Sequence, residues 1–533
     1  MSIKAVDYYD LKDGVYVCKI CKKNFAYQSN TIVHVKKHFP KKAVTEDETD
    51  FFHKTDKGCR RITEFEVNLI EWKSKKAIPW NAIDDDNFRK LVSKPTSVPC
   101  RQTLTTLQKE LSDQMSEKAY SEWAGQVISI CLDGGTILHN KWIAVNGFGT
   151  GGAGVRFNLI DIIVMKDSCS IDNIIQEIIK IRQKLSETGT IICAASTDNA
   201  FNMIGCFNNT IKNRNTKYIK DILGLSCSCH TGQLVLSDLS KSDGTYSKII
   251  DELKKFHSDV NSIDVKDMIK ANLPGYPTIQ VQRWNTYHDC IIYIIKNYDT
   301  LSKLLPNNYI IQNIKTVKQI EEAIGPIHDF TRALESDQAD QSDVFIQSRI
   351  MIQKWKEKEN SNPQSKKLIS LFNDRCRDTM DIQISEVAYY FSSSGLKEFS
   401  EVYNFKDKST ERVSKLRELQ KKIKIICDIW GFDTIQITNG FDEITKHTQL
   451  FSFKYPTLAE LNPIETLNDT QIEQLHEFIK RIMTLPASEA ASERVFAAMR
   501  DSYNVQMMSL DEKSIKSSLI IYFNTFKKRI FKN

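Results

Sequence analysis

The chain has 533 residues, 41% of them hydrophobic, more than one core usually holds and enough apolar side chain to fold several domains. It shows no basic-apolar-small leader and no run of about 18 apolar residues, so it reads as soluble and intracellular, and its thirteen scattered cysteines read as thiols and metal ligands rather than a disulfide framework. The net charge of +6 is too small to name a partner by itself, but residues 1–45 hold nine lysines against three aspartates, so the basic character sits in the N-terminal segment.

That segment (1–45) carries the strongest spacing in the sequence, Cys18-x2-Cys21-x12-His34-x3-His38, two thiolates and two imidazoles at the separations of a tetrahedral zinc site. Phe25 stands where a small ββα finger needs an aromatic for its minimal core, and Zn2+ would supply the folding free energy that so short a segment cannot gain from burial. A helix starting near Gln28 would turn Tyr27, Asn30 and Val33 toward a DNA major groove, although Thr31 occupies a usually apolar position and some fingers bind protein or RNA instead.

Residues 46–58 are polar and acidic (Glu46, Asp47, Glu48, Asp50) and read as a linker. Residues 59–120 are expected to be helical, with apolar positions at helical spacing from Arg60 to about Asp113 and Pro79, Pro95 and Pro99 as breaks. Residues 121–235 change texture. Val127–Leu132, Trp142–Phe148, Phe157–Met165, Thr190–Ser196 and Leu223–Cys227 are expected strands, and residues 171–186 an amphipathic helix, which gives an α/β core. Gly149-Thr-Gly-Gly-Ala-Gly154 fits the dinucleotide fingerprint G-x-G-x-x-G, but a strand rather than a helix is expected after it, so it reads as a hairpin turn. Residues 236–455 read as helical, including Ile310–Ala323 and Val413–Trp430, and 456–533 continue as helix after Pro456 and Pro486.

Three carboxylates stand at positions suited to chemistry. Asp133 and Asp198 each follow a buried apolar run, at the carboxyl ends of expected strands, where α/β sheets place ligand sites. Either one also reads as a helix N-cap. Glu493 opens a helix rich in alanine and serine (Ala490-Ala-Ser-Glu-Arg-Val-Phe496), whose small side chains would let it lie close to a sheet; Glu489, one turn earlier on nearly the same face, competes with it.

Ala490-Ala-Ser-Glu-Arg-Val-Phe496 with Tyr455-Pro-Thr-Leu-Ala, Thr197-Asp-Asn-Ala-Phe-Asn-Met203, Cys227-Ser-Cys-His230, Gln282-Arg-Trp-Asn285 and Ala77-Ile-Pro-Trp-Asn together resemble, in order and separation, the hAT superfamily of cut-and-paste DNA transposases. The finger is similar to C2H2 and BED fingers, without the upstream tryptophan that BED fingers usually carry. The resemblance implies an RNase H-like α/β core begun in 121–235, interrupted by a large helical insertion in 236–455, and completed in 456–533 with a C-terminal dimerisation region. It implies Asp133, Asp198 and Glu493 as a DDE triad holding Mg2+ or Mn2+, and Arg283 and Trp284 at the DNA. Trp284 would stack on a distorted base, though it also reads as a core tryptophan, and Cys227 and His230 would brace the site rather than bind zinc. The implied partners are transposon terminal inverted repeats, target DNA and further copies of the chain, in the nucleus. Gly135 departs from the pattern, since many relatives place tryptophan there, and fewer basic residues follow Arg500 than usual. A domesticated, non-cutting DNA-binding descendant and an RNase H-type nuclease are the competing readings.

Overall fold

The computed structural model describes residues 51–502 and 511–530, apart from 56–57, 77, 79, 86–87, 90–91, 93–97, 138–139, 151–156, 166–167, 209–217, 261–272, 280–283, 379–381 and 404–408, and before them only 9–12, 15–18 and 24–25. The chain forms two compact units, Met1–Thr63 and Glu64–Asn533.

In the first unit β1 (Tyr9–Lys12) pairs antiparallel with β2 (Val15–Cys18), and β3 (Asn24–Phe25) pairs with the other edge of β2. Cys18 closes β2, whereas Cys21, His34 and His38, like Tyr27, Asn30 and Val33, lie outside the described residues. The acidic stretch does not stay irregular to residue 58, because β4 (Phe52–Thr55) and β5 (Gly58–Arg61) form an antiparallel hairpin. Its flanks explain it: Phe51 and Ile62 are buried, and Ile62 N donates to Phe51 O at 2.7 Å.

The second unit is built on a mixed sheet in the order β10-β11-β9-β6-β7-β8. β6 (Val127–Ile137), β7 (Asn140–Phe148) and β8 (Phe157–Met165) form an antiparallel meander, and β9 (Ile191–Thr197) and β11 (Ile219–Ser226) extend it in parallel from β6, with the two-residue β10 (Phe207–Asn208) beyond β11. This arrangement is compatible with an RNase H-like core. Phe148 pairs with Phe157, so the glycine-rich segment joins two strands and does not open a helix.

Apolar runs in these strands reflect cover on both faces. On one side lies α3 (Ile171–Ser186), after α1 (Glu64–Lys76) and α2 (Arg101–Ser121) in the chain; the Ser170 side chain caps α3 by accepting from Asn173 N at 3.3 Å. Its buried stripe, Ile174, Ile178, Ile181 and Leu185, recurs at helical spacing and packs on Ile128, Ile130 and Ile192. On the other side Cys193, Ala194, Leu223 and Leu225 share a core with helical residues between Ile384 and Leu485, and Trp430 Nε1 donates to Cys193 O at 2.9 Å. The late helices therefore form part of the sheet's own core. A further helical core includes α4 (Ser228–Ser242), α5 (Trp284–Lys296) and α6 (Ile314–Leu334).

The C-terminal α7 (Ala490–Ser502) and α8 (Glu512–Ile530) return to the sheet and to α2. Lys73 of α1 is fully buried and donates to Gln108 Oε1 of α2 at 3.1 Å and to Ser518 Oγ of α8 at 3.2 Å. Among the described residues, no helix is long and apolar enough to cross a membrane.

Candidate active site

The register of the parallel strands positions the site. Leu132 of β6 pairs with Thr197 of β9, and Thr197 pairs with Ser226 of β11, so these three residues form one row across the carboxyl edge. The residues that follow them are Asp133, Asp198 and Cys227. Adjacent strands lie about 4.8 Å apart, which brings the backbones of Asp133 and Asp198 to neighbouring places on one rim. Both carboxylates are half-buried. Asp133 is not at the end of its strand: β6 continues through Gly134 and Gly135 to Ile137, because β7 still provides a partner there after β9 has left.

The short stretch before α7 is anchored from several directions. Ser228 N donates to Ala487 O at 3.2 Å, Ser488 Oγ to Leu334 O at 2.9 Å, and Gln341 Nε2 to Pro486 O at 2.8 Å. Within α7, Ser492 Oγ donates to Cys131 O of β6 at 3.0 Å and accepts from Asn146 Nδ2 of β7 at 2.8 Å. Ala491 packs against Cys131, Phe148 and Phe157. The small residues thus let the helix lie directly on the sheet, two residues before the aspartate of β6, and Glu493 follows Ser492 at the half-buried rim.

Glu489 sits deeper, at 1% exposure, and its Oε2 has no hydrogen-bond partner. Burial pushes its carboxyl well above the ordinary range, and the neighbouring Cys227, Glu493 and Asp133 push it the same way. Asp133 and Glu493 thus both lie close enough to act on Glu489. Asp198 enters through the strand register, and its Oδ1 accepts from Ala200 N at 3.1 Å, while Asp133 Oδ1 accepts from Gly134 N at 2.8 Å. The cluster whose ligand atoms all fall within 4.8 Å of one another, among the described residues, is His288, Asp289 and His328 rather than the three expected carboxylates.

Cys227 is buried at the N-cap of α4 and accepts from His230 N at 3.4 Å, so the pair closes the turn between β11 and α4. Burial raises its thiol well above the usual value, which keeps it protonated. Trp284 opens α5, while Arg283 lies outside the described residues. One residue on, Asn285 Nδ2 is 3.5 Å from Glu335 Oε1, and Glu335 O accepts from Arg494 Nη1 at 3.3 Å, which links the start of α5 to the helix of Glu493.

Two features escaped the sequence. The depth of Glu489 has no signature: expected one turn earlier on the same helix face as Glu493, it instead precedes α7, whose first residue is Ala490. Gly135, noted only as a missing tryptophan, has a packing reason: a Cβ there would lie 2.9 Å from Phe496 Cδ1 and 3.0 Å from Phe496 Cε1. The phenylalanine of Ala490-Ala-Ser-Glu-Arg-Val-Phe496 occupies the space that a side chain at 135 would need.

Residues 450–525 match the hAT family C-terminal dimerisation region. No curated protein matches the chain.

Proposed function

We propose that the chain is a transposase of the hAT type, which binds transposon ends through its N-terminal finger, cleaves and joins DNA at Asp133, Asp198 and Glu493, and works in the nucleus as a homodimer or larger assembly. The observation that carries the reading is the row Leu132, Thr197, Ser226, which sets two aspartates side by side on a sheet edge where α7 brings a glutamate. The family match over residues 450–525 supports hAT descent and self-association.

The donor set suits Mg2+ or Mn2+, because Asp133, Asp198 and Glu493 offer only hard oxygen ligands, and the orphaned Oε2 of Glu489 is a further oxygen beside them. Bound there, the cation supplies positive charge against the phosphate and makes the attacking oxygen more acidic. The chain's own contribution is position. Ser492 and Ser488 fix α7 against Cys131, so Glu493 is held to the rim by a buried seam rather than by a mobile loop. Trp284, the first residue of α5, is the proposed stacking partner for an unstacked base. Cys18, Cys21, His34 and His38 form a soft donor set suited to zinc, and Tyr27, Asn30, Val33 and Arg283 are the proposed DNA contacts.

The test is incubation of the purified full chain with its flanking-repeat DNA and Mg2+, followed by a denaturing gel. Nicked ends and hairpinned flanks are expected, and both disappear in Asp133→Asn and Asp198→Asn. A second reading, a descendant that binds DNA without cutting it, draws on the local backbone hydrogen bonds already made by both aspartates. Retained end binding with no nick in Mg2+ or Mn2+ would establish that reading instead.

A further inference from the structure

The helical region holds a stacked imidazole pair, His288 buried and His328 half-buried, that the proposed catalysis does not use. His288 of α5 is 8% exposed, and neither Nδ1 nor Nε2 has a hydrogen-bond partner. Its ring stacks on that of His328 of α6, with centroids 4.1 Å apart and planes inclined by 27°. Leaving both nitrogens of a buried ring unpaired is costly, and native cores rarely do so without a reason.

Two carboxylates approach the imidazoles. His288 Nε2 is 3.6 Å from Glu321 Oε1, and His328 Nε2 is 3.4 Å from Asp289 Oδ1. Both separations are longer than ordinary N–H···O bonds of about 2.7 to 3.2 Å. They approach another length: any two donors held about 2.0 Å from a tetrahedral zinc lie about 3.3 Å from each other. His288, Asp289 and His328 each place one ligand atom within 4.8 Å of the others.

The sequence of α6 arranges the other side. Glu321, Gly325 and His328 recur at one and two turns, so they share a face. A Cβ on Gly325 would stand 3.3 Å from Glu321 Oε1 and 3.6 Å from His288 Nε2, so glycine keeps the space beside these two side chains open. Asp329 Oδ1, 3.9 Å from His328 Nδ1, is placed to orient that ring from behind. Two cations border the cluster among the described residues: Arg332, with Nη2 3.4 Å from Asp289 Oδ2 and Nε 3.5 Å from His328 Nε2, and Lys354, with Nζ 2.8 Å from Asp329 Oδ2.

We propose that His288, Asp289 and His328 form a second metal site, with two nitrogen donors and one oxygen donor suited to Zn2+, which staples α5 to α6. Its place in the fold suggests its purpose. Trp284 is one turn before His288 on α5, and Glu335, just past the end of α6, holds Arg494 beside Glu493, so the staple fixes the relation between two parts of the proposed DNA site. The metal site itself stands or falls independently of catalysis.

The experiment measures metal in the full-length protein. Zinc per chain is determined by mass spectrometry for wild type, His288→Gln, His328→Gln and the finger variant Cys18→Ser/Cys21→Ser. Each histidine variant is expected to hold one zinc fewer than wild type, with unchanged far-ultraviolet circular dichroism. The finger variant, stripped and titrated with Co2+, is expected to develop visible ligand-field bands without thiolate charge transfer, saturating at one equivalent. This arm needs no histidine substitution to fold. Undiminished zinc in both folded histidine variants, or a finger variant that takes up no cobalt, overturns the proposal.

Discussion

Gly135→Ala tests how the last helix is seated on the sheet. The added methyl would meet the Phe496 ring at 2.9 and 3.0 Å, inside the separations that real Cβ atoms accept, and the ring is held between β6 and α7. Overpacking of this kind costs about 1 to 3 kcal/mol. Phe496→Leu alone, which removes ring volume, should cost on the order of 1 kcal/mol. In the double variant the methyl occupies space that the ring has vacated, so the combined loss should be smaller than the sum by at least about 1 kcal/mol. Phe496 lies three residues after Glu493 on the same helix, and a displaced ring shifts that helix along the rim. A shift of a few tenths of an ångström should slow DNA nicking on the order of tenfold in Gly135→Ala, with partial recovery in the double variant. Urea unfolding and a single-turnover nicking assay measure the two effects. Additive stabilities, or full nicking activity in a destabilised Gly135→Ala, would refute the contact between Phe496 and residue 135 as the element that sets the position of α7.

Burial lowers the Lys73 pKa to about 8 from 10.5, only partly opposed by Asp511. The folded state then binds fewer protons than the unfolded chain between those values, so stability rises as pH climbs from about 8 toward 10.5 and is flat below. Relative to Lys73→Met, wild type should gain roughly 3 kcal/mol across that window in paired urea titrations, and parallel pH profiles would contradict the buried charge. In the region matched to the dimerisation family, Phe453 is 62% exposed and Leu458 43% exposed. Phe453→Asp with Leu458→Asp should lower the mass measured by light scattering while leaving the helical content intact, and an unchanged mass would remove this patch from the assembly interface.

The strands of the core were legible because burial on both faces leaves continuous apolar runs, as in Phe157–Met165, and α3 because its isoleucines keep helical period. The hairpin at residues 52–61 was not, since its strands carry mostly polar side chains with no period, and only the burial of Phe51 and Ile62 marks its base. The continuation of β6 past Asp133 was hidden by Gly134 and Gly135, which look like a strand's end but are held by β7. Helical periodicity between Ile384 and Leu485 showed apolar faces without saying that they cover β9 and β11. At the site, residue types identified the carboxylates, but the difference in depth between Glu489 and Glu493 comes from how α7 packs, which a single sequence does not encode locally. His288 and Glu321 are more than thirty residues apart on different helices, and no spacing rule joins them.

Asp133, Asp198 and Glu493 are proposed to act as one cation site. Anomalous diffraction from a crystal soaked in Mn2+ tests it most directly. Manganese density is expected in contact with carboxylate oxygens of all three residues, with the Asp198 side chain turned away from Ala200 N. Manganese bound elsewhere, while Asp198 still caps the turn at Ala200, would contradict it.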